Sequence, residues 1–87
     1  MEKTKTITLS KPLESNDGKV RYEEINLREP CLIEVEQLYE VQNASSNSLP
    51  GMRRLISLVS AIPETELKKM AITDFKQCRD FLNPFLA

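Results

Sequence analysis

The chain contains no histidine and no tryptophan, and only two glycines and two cysteines; each shortage removes a class of function. Histidine is the side chain that titrates near neutral pH, the commonest general base and a frequent zinc ligand. Without it, acid–base chemistry or a metal centre would have to be built almost wholly from carboxylates. Gly18 lies in a turn motif and Gly51 opens an apolar helical stretch, so no glycine-rich phosphate loop can form. Cys31 and Cys78 are far apart and form no C-x-x-C pair; flanked by apolar residues, both are expected as buried free thiols. Charge of one sign is not in excess either: 12 basic and 13 acidic residues leave a net charge of -1. That balance offers no field for nucleic acid or an anionic membrane. The first residues lack a signal-peptide apolar core, and no run approaches the roughly 18 apolar residues of a membrane span. The expected location is the cytoplasm.

What is present is a globular composition, 40% hydrophobic and 29% charged over 87 residues, which predicts one domain spanning 1–87. The acids do not pair for catalysis. Glu23 and Glu24 are adjacent on a predicted strand and point to opposite faces. Glu34 and Glu36 diverge by roughly 200° around a predicted helix. No nucleophile–base pair, no metal set and no cofactor loop can be assembled, so the reading is a protein that is not an enzyme and needs no cofactor.

The pattern predicts an α+β fold, an N-terminal β-hairpin (1–29) packed on three to four short α-helices (31–87). Ile7, Leu9 and Leu13 alternate with polar residues at period two, and Pro12 is expected to mark the strand's end or edge. Asn16-Asp17-Gly18 is a reversal signal, since these residues tolerate the positive φ of tight turns. In the return strand, apolar positions switch from even (Val20, Tyr22) to odd (Ile25, Leu27), which predicts a β-bulge at Glu23-Glu24. Helical spacing then places Leu32, Val35, Leu38 and Tyr39 on the inner face of a first helix. A polar loop over 43–50 follows. The most apolar helix, from about Gly51 to Ala61, is expected to be central, with Met52, Leu55, Ile56, Val59 and Ile62 as its stripe. Pro63 opens a short third helix, and Thr73 is the expected N-cap of a last helix carrying Phe75, Cys78 and Leu82 inward.

With catalysis set aside, apolar contact is the remaining tool. The candidate protein-binding residues are Leu55, Val59, Phe81 and Phe85, each of which could equally be plain core. Two of the three phenylalanines lie in the last seven residues, and an open hairpin edge offers a second route to self-association. Residues 30–50 carry three glutamates and no base, whereas 51–70 carry Arg53, Arg54, Lys68 and Lys69 against two acids. This asymmetry reads either as two solvated faces or as a charge-complementary surface for a partner. Two alternatives stay open: a small DNA-binding regulator, whose basic doublets would flank a helix junction, and an interaction module of some other kind.

The ordered set Ile7-Thr8-Leu9-Ser10-Lys11-Pro12-Leu13, Asp17-Gly18 and Ile25-Asn26-Leu27-Arg28-Glu29-Pro30 resembles the opening of a phage tail assembly protein family. These are the small tail assembly chaperones of contractile-tailed phages and Mu-like prophages. The later apolar helix running into Pro63, and the Asp74-Phe75 helix start, are similar to the family's second half. The resemblance implies a non-catalytic chaperone in the bacterial host cytoplasm. Its partner would be the tape-measure protein, a long, apolar-rich helical chain that it keeps soluble while the tail tube assembles. It also implies many copies; self-association is expected through the open hairpin edge or the apolar C-terminal end, and the charge balance leaves no nucleic acid and no membrane as partner.

Overall fold

A computed structural model describes residues 3–86. Two antiparallel strands, β1 (Thr4–Glu14) and β2 (Arg21–Arg28), are followed by α1 (Leu32–Asn43), α2 (Leu49–Ser60), α3 (Glu64–Leu67) and α4 (Ile72–Leu82). A 3-10 turn, Asn83–Phe85, closes the chain. The architecture is the α+β hairpin-and-helices arrangement that the pattern predicts.

The hairpin turn forms where Asn16-Asp17-Gly18 places it. Gly18 takes φ 73°, in the left-handed region that glycine enters freely. Asp17 accepts from the Ser15 hydroxyl at 2.5 Å and the Lys19 amide at 3.0 Å, and these bonds hold its carboxyl below the usual carboxylate range. Ile7, Leu9 and Leu13 of β1 and Ile25 and Leu27 of β2 turn inward onto the helices.

The pairing irregularity lies in β1, not at Glu23-Glu24. Thr8 pairs with Glu24 and Leu13 with Tyr22, so five steps along β1 match two along β2. Three extra residues are accommodated around Leu9–Pro12. Pro12 sits inside that bulge, where its missing amide costs no ladder bond, and β1 continues to Glu14. The even-numbered Val20 and Tyr22 therefore stay outside the core, exposed and half-buried respectively.

Helix α2 is central: it touches α1, β2, α3 and α4 and buries Met52, Leu55, Ile56 and Val59. It starts at Leu49, two residues before the expected Gly51, with Pro50 in its first turn, where a missing amide is harmless. Gly51 instead permits a close helix crossing. A Cβ there would lie 2.9 Å from the Leu38 carbonyl oxygen and 2.5 Å from Gln42 Cγ. Ala61 ends α2 in the left-handed conformation at φ 62°.

Helix α1 packs on α2 and buries only Glu34 and Leu38. Half of its predicted inner face is outside: Leu32 is 75% exposed and Tyr39 45%, while Val35 is half-buried and Leu38 buried. With a neighbour on one side only, a four-residue stripe has nowhere to go. Cys31 is the N-cap of α1 and is exposed rather than buried, while Cys78 is enclosed as expected. Helix α4 is capped by Ala71, not Thr73, so Asp74 falls at its third position.

Candidate protein-interaction surface

The four residues singled out for binding separate into two pairs. Leu55 and Val59 are enclosed in the core. They meet a partner only if α2 is unpacked. Phe81 and Phe85 remain half-buried at the end of the chain, their rings 5.5 Å apart and edge to face, an arrangement aromatic quadrupoles favour.

The exposed apolar surface lies elsewhere. Leu49, 51% exposed, is the first residue of α2, and Ile72, 56% exposed, the first of α4. Between them runs a groove of about 150 Å³, floored by Ile56 and Leu67 and walled by Met70 and Phe75. A second depression, about 460 Å³, adjoins it through Leu49 and Phe75 and extends to Tyr39, Met52 and Leu86. Together they form a continuous path across α1, α2 and α4, mainly apolar in the first depression and interrupted by Gln42, Ser48, Arg79 and Asn83 in the second. Leu49 falls in the polar loop expected over 43–50, and Ile72 belongs to none of the helical stripes expected from the sequence. The available signal was a large aliphatic residue just before each helical stripe, where a solvated chain has no use for one.

The charge around this path is basic. Arg53, Lys68 and Arg79 line it, and no acid does among the described residues. Arg53 and Arg54 both bond Glu64, at 3.1 and 2.8 Å, so one carboxylate faces two guanidinium groups. Among the described residues Arg79 pairs only with its exposed neighbour Asp80, at 3.5 Å.

Two buried acids hold the frame of this surface. Asp74 accepts from the Ser10 amide at 3.0 Å, the Ser10 hydroxyl at 3.1 Å and the Lys11 amide at 3.4 Å, and so fastens the start of α4 to the β1 bulge. Glu34 bonds the Arg28 guanidinium through both oxygens, at 2.8 and 2.6 Å, and the Cys31 amide at 2.9 Å. The Arg28 bonds, outweighing desolvation, hold its carboxyl down at about 2. The Cys78 thiol is pushed up to about 12 by burial, with Asp74 adding to the effect, and is unreactive in that position. No group of three or more metal-ligating side chains occurs among the described residues. None of their helices is long and apolar enough to cross a membrane.

The molecule is thus a hairpin that braces a helical unit, with an open groove rimmed by bases. The family model described as "Phage tail assembly chaperone proteins, E, or 41 or 14" matches residues 6–87. The chain belongs to this phage tail assembly chaperone family. No curated protein and no solved structure matches it.

Proposed function

We propose that the protein acts without catalysis as a chaperone for the tape-measure protein, covering its apolar helical segments in the bacterial host cytoplasm while the tail tube is built. The observation that carries this reading is the unpartnered apolar path from Ile72 through Leu49 to Tyr39. Burying large aliphatic side chains in water is worth roughly 1.5–3 kcal/mol each, so leaving several open in so small a core makes sense where a client covers them. An open groove also suits modest affinity, because the client must be released as the tube closes. Several copies along one client, associating through hairpin edges or the Phe81–Phe85 end, would extend the coverage. Co-expression tests the reading. The tape-measure protein should move from the pellet to the soluble fraction when this chain is present and co-purify with it. Equal precipitation in its presence and absence excludes the role.

A further inference from the structure

We propose that the groove between α2, α3 and α4 takes an amphipathic helix whose apolar stripe is flanked by carboxylates. The inference rests on the reading that this apolar path is the client site, and it specifies the chemistry of the client segment. The floor is fixed, with Ile56 and Leu67 buried, but Met70 on the wall is an adaptable side chain suited to varied helix faces. Leu49 and Ile72 stand at the two lips, exposed and ready to grip. The flanks decide the charge. In a chain of net charge -1, the path has three bases and no acid among the described residues that line it. Glu64 balances only one of Arg53 and Arg54, Arg79 meets only the exposed Asp80 among the described residues, at 3.5 Å, and Lys68 makes no ion pair among them. An apolar helix flanked by lysines would place like charges along both lips; one flanked by glutamates would pair them as the apolar floor is covered.

A second copy of the chain is the rival occupant, because α1 exposes Leu32 and Ile33 beside Glu36. That face offers a single apolar turn. Leu38 is buried against the chain's own helices, and the Tyr39 hydroxyl lies 3.5 Å from the Leu86 carbonyl oxygen. A single turn does not fill two adjoining depressions.

The test uses two synthetic helical peptides with the same Leu/Met stripe at i, i+3, i+4 and i+7, flanked by Glu in one and Lys in the other. Fluorescence anisotropy with the full chain should show the Glu peptide binding about tenfold or more tighter at low salt, the advantage shrinking as ionic strength rises toward about 1 M. Lys68→Glu with Arg79→Glu should reverse the preference, and Lys68→Glu alone, at an exposed position, should reduce it. Equal binding of both peptides, no binding of either, or indifference to charge reversal overturns the proposal. So does sedimentation showing a dimer that Ile72→Asp abolishes, since a second copy then fills the groove. These failures leave the tail-chaperone reading standing, because co-expression with the tape-measure protein tests that separately.

Discussion

Asp74 and Glu34 each occupy the third position of a helix, where an acid ordinarily satisfies the free amides of its own first turn. Glu34 does this through Cys31 and also clamps Arg28, while Asp74 serves the bulge of a strand 64 residues earlier. Replacing Asp74 with Ala strips an acceptor from the Ser10 and Lys11 amides and should cost about 2–3 kcal/mol; Asn, keeping one acceptor, should cost roughly half of that. Urea midpoints of the two variants check the order. The depressed Glu34 carboxyl links folding to pH. Its contribution is complete above its ordinary pKa of about 4.5 and is lost as pH falls toward about 2. Glu34→Gln should therefore lose on the order of 1–2 kcal/mol at neutral pH, a figure moderated by the half-exposed Arg28. The gap to the parent protein should close as urea titrations are repeated from pH 5 down to pH 2. Neither role was legible in the sequence. Asp74 reads as an ordinary first-turn acid until the β1 bulge brings Ser10 and Lys11 beneath it.

At the scale of elements, local chemistry was legible where it is local. Asn16-Asp17-Gly18 makes the turn, Pro63 separates α2 from α3, and the Met52–Ile62 stripe makes α2 central. What stayed hidden depends on a neighbour. The switch from Val20 and Tyr22 to Ile25 and Leu27 predicts a bulge in β2, yet the extra residues are in β1, where Pro12 tolerates them. Two substitutions probe α2. Gly51→Ala would push a methyl group against the Leu38 carbonyl and Gln42, and should destabilise by about 1–3 kcal/mol as α1 is forced away. Ala61→Gly should do the opposite, adding about 0.5–1 kcal/mol by relieving a left-handed alanine. Thermal melts of both should move in opposite directions from the parent.

Over the whole molecule, the radius of gyration of 12.5 Å is close to the ~12 Å of a compactly folded chain this long. Of the four residues proposed from the sequence for apolar contact, Leu55 and Val59 are enclosed, and Phe81 and Phe85 are half-buried. Leu49 and Ile72 are instead among the exposed large apolar side chains, with Leu32 and Ile33 on α1. Helical periodicity finds the stripe that faces the core. A second apolar patch at helix starts obeys no period, and its meaning emerges only when α2 and α4 place Leu49 and Ile72 along one groove.

The most direct test of the account is the double variant Leu49→Asp, Ile72→Asp, co-expressed with the tape-measure protein. Both side chains are exposed, so the thermal midpoint should stay within a few degrees of the parent, about what a change of 0.5 kcal/mol produces. The soluble, co-purifying fraction of the client should nevertheless fall to near the level seen without chaperone. A folded double variant that keeps the client soluble as well as the parent does would contradict the account.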